Sequence, residues 1–177
     1  MAESEIAMLL TLVDRGFDRR SWHGTNLKGS IKGMDAALAS WRPAPQRHNI
    51  WEIVVHTAYW KYAVRRRLLG EKRGSFPLEG SNWFLRPVGG SSDDRAWKQD
   101  VALLLDTHAR LREAIAGLTR KDLERIPPGS TVSTPALVAG VAAHDVYHAG
   151  QIQFLKRLSP QYSRRRLANP AGTTTSQ

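Results

Sequence analysis

The chain has 177 residues, a formal net charge of +10 and no cysteine. This length fits one domain with a sizeable core, and the lack of cysteine excludes disulfides, thiolate metal sites and a cysteine nucleophile. No apolar run reaches the length of a transmembrane helix, and the acidic start at Met1–Glu5 lacks the basic segment of a signal peptide. We therefore expect a soluble cytoplasmic protein with no membrane association.

Positive charge is spread along the chain, with denser basic runs at 65–67, 72–73 and 164–166. Spread charge is typical of solvated helix faces and a basic tail, which is the interpretation that we adopt. An anionic partner such as nucleic acid is the alternative, because a basic surface attracts phosphate groups whatever the fold.

The first third of the chain predicts helices that end at a connector. Apolar residues recur every three or four positions between Glu5 and Arg20, which indicates an amphipathic helix. A short helix is expected to restart near Thr25. The two prolines of Trp41–Pro45 remove backbone donors and hold the chain extended, so we expect a connector there.

The second long helix has sequence signals at both ends. Asn49 is a suitable N-cap with Glu52 as its capping-box partner, and Gly70 can end the helix after Leu69 in a left-handed conformation. Residues 71–90 contain four glycines and two prolines. They predict a long irregular loop, and loops of this length in compact domains often carry function.

Two more long helices complete the pattern. Ser92 is the predicted N-cap of the third helix, which runs to Gly117. Thr134 is the predicted N-cap of the fourth, with Pro135 at the first helical position, and this helix ends before Pro160. Four long helical segments without a convincing strand or repeat predict an all-α fold, a four-helix bundle. We assign residues 1–160 to the bundle domain and 161–177 to a basic, disordered tail.

Three histidines occupy predicted core positions. His144 and His148 are four residues apart on the fourth helix, so both imidazoles project from one face, and His56 lies on the apolar stripe of the second helix. Unpaired buried imidazoles would cost about 1–3 kcal/mol each. A divalent transition metal shared by the three removes that cost, although hydrogen-bonded core histidines are the alternative.

Other polar residues have weaker assignments. His48, just before the second helix, is a candidate contact to a ligand histidine or to substrate, and otherwise a cap or surface residue. His108 is expected to be a hydrogen-bonded core histidine, and His23 a structural one. Asp145 creates a segment close to the His-Glu-x-x-His of zinc proteases, but its shorter side chain argues against a protease. We expect Asp145 at the surface or oriented toward an imidazole N–H.

Two motifs resemble one family. The stretches His48–His56 and His144–Ile152, the second with the pattern His-x-x-x-His-x-x-Gln, resemble the DinB/YfiT-like metalloenzyme family over roughly residues 5–158. The upstream Trp22–Gly24 is similar to one branch of it. The resemblance implies an up-down-down-up bundle, a homodimer, and nickel or zinc bound by His56, His144 and His148.

The resemblance also implies a range of activities. Some members of the family are S-transferases that use bacillithiol or mycothiol, and others are suggested hydrolases. We therefore expect a metal-dependent S-transferase or hydrolase that acts on a small molecule, with a low-molecular-weight thiol as a cofactor. His48, Asp145 and Gln151 are candidates to contact the metal ligands, and Trp83 and Phe84 are candidates for a lid in the loop. The alternative is a non-catalytic, metal-stabilised bundle associated with nucleic acid or another anionic partner.

Overall fold

The computed structural model describes residues 2–88 and 93–168, and within these ranges it contains helices and loops but no strand. The expected all-α class is therefore confirmed. The helices are α1 (Ala2–Phe17), α2 (Leu27–Ser30), α3 (Ala36–Ala39), α4 (Ile50–Leu69), α5 (Asp94–Ala116), α6 (Arg120–Leu123), α7 (Thr134–Leu158) and α8 (Pro160–Ala168).

The four long helices α1, α4, α5 and α7 form a bundle in which α4 packs against α5 and α7, and α1 packs against α7 and α5. This confirms the helical-bundle fold, whereas the up-down-down-up order of the helices stays a prediction. Within the described ranges, no helix is both long enough and apolar enough to span a lipid bilayer.

Both predicted ends of α4 are confirmed. The Asn49 side chain accepts from the Glu52 N–H, and the Glu52 side chain accepts from the Asn49 N–H, which is a complete capping box. At the other end, Gly70 has φ 69° and ends the helix in the left-handed conformation that only glycine adopts cheaply. These local signals give α4 the length and register that bring His56 to the interior.

The predicted N-caps of α5 and α7 are each displaced by one residue. Asp93 caps α5 and accepts from Ala96 N–H, while Ser92 lies outside the described residues. Ser133 occupies the N-cap position of α7 but makes no side-chain capping bond. Thr134 is already helical and buried, and its hydroxyl donates to the carbonyl of Arg125 instead. A tertiary contact thus replaces the expected local cap.

The expected disordered tail begins with a helix. Residues 160–168 form α8, and Pro160, with its φ preset by the ring, is well suited to a first helical turn. The Tyr162 ring lies 5.4 Å from Lys156 Nζ, a cation–π contact to α7. Residues 169–177 lie outside the described residues, so the division into a domain and a tail stays a prediction.

A glycine determines how closely α1 approaches α7. A Cβ atom built on Gly16 would lie 2.9 Å from the carbonyl oxygen of Ala142 and 3.6 Å from Cβ of Asp145. The first distance is shorter than real Cβ contacts, so the two backbones meet closely only because this residue has no side chain. The contact brings α1 against the face of α7 that carries Asp145.

Candidate metal centre

Three histidines from two helices meet at one point of the bundle. His56 in α4 and His148 in α7 are buried, and His144 is half-buried. The Nε2 atom of His144 lies 3.1 Å from Nε2 of His56 and 3.0 Å from Nε2 of His148. A candidate ligand atom of each ring lies within 4.8 Å of those of the other two. These residues can therefore hold a metal ion.

Hydrogen bonds on the far side of two rings determine which nitrogen is free. The Nδ1 atom of His56 lies 2.8 Å from the carbonyl oxygen of Asn82, and Nδ1 of His148 lies 2.7 Å from Oε1 of Gln151. Both partners are oxygen acceptors, so each Nδ1 carries the proton and donates it. In these two neutral rings, Nε2 then carries no proton and has a free lone pair, which is the form that binds a metal.

Asn82 is a site residue that the sequence did not reveal. It has φ 66°, a left-handed conformation that asparagine tolerates better than most residues, and its carbonyl oxygen meets His56 across 26 positions of sequence. Its side-chain Oδ1 accepts from Nε1 of Trp60 at 3.0 Å. Asparagine in a loop hints at a positive φ, but nothing local indicates its partner on α4.

Trp83 covers the histidines, whereas Phe84 does not. The Trp83 ring is sandwiched between two imidazoles, with centroids 3.8 Å from His56 and 3.6 Å from His48, and both pairs are nearly parallel. It is 36% exposed, so its other edges face solvent. Phe84 is buried and packs against Tyr59. Of the two predicted lid residues, the structure places Trp83 at the histidines and Phe84 in the core.

His48 reaches the site only through Trp83. Its Nδ1 lies 2.9 Å from Oε2 of Glu52, whose other oxygen accepts from Arg42 at 2.6 Å. Glu52 is almost fully buried, so the imidazole and the guanidinium together satisfy a carboxylate that burial would otherwise penalise. This anchored imidazole supports one face of the Trp83 ring.

Gln151 continues the hydrogen-bond chain outward. Its Oε1 accepts from His148, and its Nε2 donates to the phenolic oxygen of Tyr147 at 2.9 Å. Tyr147 itself is largely exposed. The glutamine thus links a buried imidazole to the surface, in the position at which we expected a residue that orients a ligand.

The site favours uncharged imidazoles. Burial, followed by the adjacent His148 and His56, lowers the pKa of His144 to about 3. Burial is also the main cause that lowers the pKa of His148 to about 4 and that lowers the pKa of His56. The three rings are therefore neutral at neutral pH, and a metal ion would not have to displace the extra proton of an imidazolium.

Asp145 does not behave as predicted. It is fully buried and forms an ion pair with Lys61 of α4, whose side chain is also fully buried. Burial raises the pKa of Asp145 and lowers the pKa of Lys61, while each charge stabilises the other. The expected position at the surface or beside an imidazole is therefore wrong, because residue 145 lies about 100° around the helix from residue 144 and faces α1.

The remaining histidines lie outside the triad. His108 is buried and stacks on Phe17 of α1, with ring centroids 3.6 Å apart. The expected burial of His108 is confirmed, but its Nδ1 has no hydrogen-bond partner among the described residues. His23 is exposed and contacts Ser21 Oγ at 2.9 Å, and Trp22 beside it is fully exposed.

The donor set fits a divalent transition metal. Three neutral nitrogens suit zinc, nickel or copper, which favour imidazole, better than magnesium or calcium, which favour oxygen. Two bare lone pairs about 3 Å from a shared imidazole nitrogen repel each other unless a proton or a cation lies between them. The three rings therefore offer a position at which a cation could bind.

The fold and the site together define a class of protein, a helical bundle with a three-histidine site in its interior. The family model described as the DinB superfamily matches residues 20–152. The chain therefore belongs to the DinB superfamily, as the motifs around His56 and His148 indicated. The comparisons with curated proteins and with solved structures gave no match.

Proposed function

We propose that the chain is a divalent-metal-dependent enzyme that acts on a small molecule, either by transferring a low-molecular-weight thiol to it or by hydrolysing it. The observation that carries the proposal is the convergence of three imidazole nitrogens, with the rings of His56 and His148 held in the metal-binding tautomer. Structural zinc sites are closed by a fourth protein ligand, whereas catalytic ones keep a position open. Among the described residues the group contains three members, which favours an open site.

Each residue around the proposed metal has a distinct task. His56, His144 and His148 would hold the ion, nickel or zinc in this proposal. The bound ion would supply Lewis acidity that activates a thiol or a water molecule as the nucleophile. Asn82 and Gln151 keep two imidazoles in the correct tautomer by accepting their Nδ1 protons. Neutral ligands leave the positive charge of the ion undiminished, which favours deprotonation of the nucleophile.

In the thiol reaction the sulfur must come from outside the protein, since the chain contains no cysteine. The thiol loses its proton to solvent, its sulfur forms a bond to an electrophilic carbon, and the leaving group departs with the electron pair of the broken bond. In hydrolysis, water takes the place of the thiol. A homodimer and a cytoplasmic location, where such thiols are kept reduced, belong to the same proposal.

Elemental analysis of untagged protein tests the metal site. We expect stoichiometric zinc or nickel in the wild type and its loss when His56, His144 and His148 are all replaced by alanine. His23→Ala is the matched control, because this histidine is exposed and its hydrogen bond is to Ser21. Stoichiometric metal in the triple variant would rule out the triad as the ligand set.

Activity needs its own measurement on protein of known metal content. A panel of bacillithiol, mycothiol, glutathione and coenzyme A with monochlorobimane as the electrophile tests S-transfer, and a panel of ester and amide substrates tests hydrolysis. We expect turnover that disappears in the triple alanine variant. A metal-loaded protein with no turnover in either panel would contradict the enzymatic proposal while leaving the metal site intact.

The net charge of +10 supports a second candidate, a metal-stabilised bundle that binds nucleic acid. Electrostatic binding to phosphates weakens steeply as salt rises. Two results would favour this candidate. One is a salt-dependent mobility shift with duplex DNA, and the other is spectroscopic evidence that protein ligands fill every coordination position of the metal. The basic run 65–67 gives it limited support, because Arg65 pairs with Glu71 and Arg66 donates to the Glu71 carbonyl.

A further inference from the structure

A groove beside the triad has no assigned role. It has a cavity volume of about 330 Å³ between α4 and α7, and its wall is mainly apolar. His144 lines one part of it. The residues of its wall that matter for its chemistry are Trp60, Val64, Arg67, Leu137, Val141 and His144. Cavities of this size and composition accommodate small organic molecules.

A glycine keeps the groove open next to the triad. Gly140 lies four residues before His144 on α7, so the two share one face of the helix. A Cβ atom built on Gly140 meets nothing within 4 Å. Glycine inside a helix costs about 0.5–1 kcal/mol relative to alanine. Packing does not require this glycine, and its effect is to leave empty space beside a metal-ligand residue.

Arg67 gives the groove a positive charge. Its guanidinium lies 5.9 Å from the Trp60 ring centroid. Its Nε atom is buried and has no hydrogen-bond partner among the described residues. Among residues 2–88 and 93–168, no carboxylate forms an ion pair with Arg67, although the neighbouring Arg65 is paired with Glu71. A guanidinium held against an apolar wall in this way is a ready partner for an anion, and its geometry suits a carboxylate.

Trp60 and Arg67 are far apart along the α4 backbone, but their side chains approach each other. Trp60, beside the triad, and Arg67 are seven residues apart, which is two helical turns or about 10 Å along the axis. The ring centroids of Trp60 and His144 are 6.2 Å apart. One end of the groove is therefore at His144, and the Arg67 guanidinium lies 5.9 Å from the Trp60 ring that neighbours it.

We propose that the groove is the substrate-binding site and that the substrate is an apolar molecule with a carboxylate. Its apolar body lies along Val64 and Val141, its carboxylate pairs with Arg67, and its reactive end lies at the triad. In such a site the positive charge of Arg67 holds the carboxylate end of the substrate, and the reactive end lies at the proposed metal. The role of the triad as the reacting centre rests on the proposed function, but the groove and its charge do not.

Octanoate and octan-1-ol are suitable probes, because they share an apolar chain and differ in charge. We measure their dissociation constants by isothermal titration calorimetry with zinc-loaded protein. A charge-assisted contact is expected to make octanoate bind about tenfold more tightly than octanol. Arg67→Met should abolish this preference. Arg66→Met is the matched control, since Arg66 does not line the groove and donates to the Glu71 carbonyl. Equal binding of the two probes by the wild type would overturn the proposal.

A second pair of variants tests the position of the probe. Gly140→Leu adds a side chain whose Cβ meets open space at the groove, and it should weaken octanoate binding at least tenfold. Gly150→Leu on the same helix also meets open space but lies outside the groove, so it should bind as the wild type does. Unfolding temperatures at or above that of the wild type would show that both variants fold. Unchanged binding by Gly140→Leu, or conversion of a dimer to a monomer by it, would overturn the assignment.

The triple alanine variant separates this proposal from the metal-dependent function. Octanoate could in principle bind the zinc ion instead of Arg67. If the groove holds it, the preference for octanoate over octanol persists in the variant that lacks His56, His144 and His148. Loss of the preference together with the metal would overturn the role of Arg67. Absence of metal from the wild type, with the preference intact, would contradict the proposed function alone.

Discussion

Two polar clusters lie side by side in the contact between α4 and α7. They differ in what compensates the free-energy cost of burying their polar groups. The histidine cluster consists of His56, His144 and His148, and the ion-pair cluster consists of Lys61 and Asp145. The ion-pair cluster is fully buried and combines two opposite charges. The histidine cluster combines three bases whose lone pairs converge. The first cluster is neutral as a pair, and the histidine cluster could hold a cation.

The two clusters also differ in whether they need an external partner. An ion pair whose members lie 84 positions apart ties α4 to α7 without any external partner. Removing one member leaves a buried charge, which costs more than the pair contributes. Imidazoles whose pKa is lowered by burial remain neutral without a metal, so the histidine cluster can exist in both states. The ion-pair cluster is therefore satisfied within the protein, whereas the histidine cluster could also bind an external cation.

The largest expected effect comes from breaking the ion pair. Lys61→Met leaves Asp145 buried without a partner and should lower the free energy of unfolding by about 3–5 kcal/mol. Urea denaturation of the metal-free protein measures it. The double variant Lys61→Met, Asp145→Leu is the control, because two apolar residues restore much of the loss. A single variant as stable as the wild type would show that the pair contributes nothing to the fold.

Metal binding should give the next largest effect, and only through the histidine cluster. A ligand present at a hundred times its dissociation constant stabilises the native state by about 2.7 kcal/mol. We expect zinc at this excess to raise the melting temperature of the wild type and of Lys61→Met, Asp145→Leu. It should leave that of the variant without His56, His144 and His148 unchanged. Equal zinc-induced shifts in all three proteins would mean that the ion binds elsewhere.

A third test uses His108, which lies outside both clusters. Burial lowers its pKa to about 3, whereas an unfolded histidine titrates near 6.5. Between these values the unfolded chain binds a proton that the folded chain does not, so stability falls as pH decreases from about 6.5 toward 3. One such group contributes a slope of up to about 1.4 kcal/mol per pH unit. At pH above 6.5 it contributes no pH dependence.

His108→Phe removes this group and keeps a flat ring against Phe17. The variant should lose stability less steeply than the wild type when urea unfolding is measured at pH 7, 6 and 5. His108→Gln, which is polar but does not titrate, should show the same shallower slope. If both variants followed the wild-type slope, a different buried group would account for the acid sensitivity.

The smallest expected effect concerns the cover of the histidine cluster. Trp83→Ala removes the ring stacked between His48 and His56, and we expect KM for a small substrate to rise by a few fold while the metal content stays the same. Steady-state kinetics and elemental analysis of the same sample measure both quantities. Phe84→Ala is the contrasting variant, since it opens a core cavity and should lower thermal stability instead. Loss of metal in Trp83→Ala would mean that the ring supports the ligands and does not merely cover them.

Features that depend on neighbouring residues could be predicted from the sequence. The capping box at Asn49 and Glu52 and the left-handed Gly70 gave both ends of α4, because each signal lies within one helical turn. The spacing of His144 and His148 placed both on one face of α7. The apolar stripe of α4 then identified His56 as the third member. These predictions rest on helical periodicity, which does not require knowledge of the rest of the fold.

Features that depend on distant residues could not be predicted. Asp145 was expected to be at the surface or beside an imidazole, because its position in a short motif said nothing about Lys61. The N-cap of α7 was displaced because Thr134 found a partner at Arg125. The Asn82 carbonyl and the stacked Trp83 come from a loop whose path follows no regular period.

The sequence by itself indicated the four long helices, the bundle class and the three histidines, since helical geometry relates spacing in the chain directly to position on a face. Only the tertiary structure decided which buried polar groups find a partner within the protein, as Lys61 and Asp145 do. It also decided that the three histidine rings meet at one point. Those outcomes depend on how α1, α4 and α7 approach one another, and the approach is governed by contacts such as Gly16 against the Ala142 carbonyl. Local propensity carries no information about such contacts, because their free energy arises only when the helices are packed.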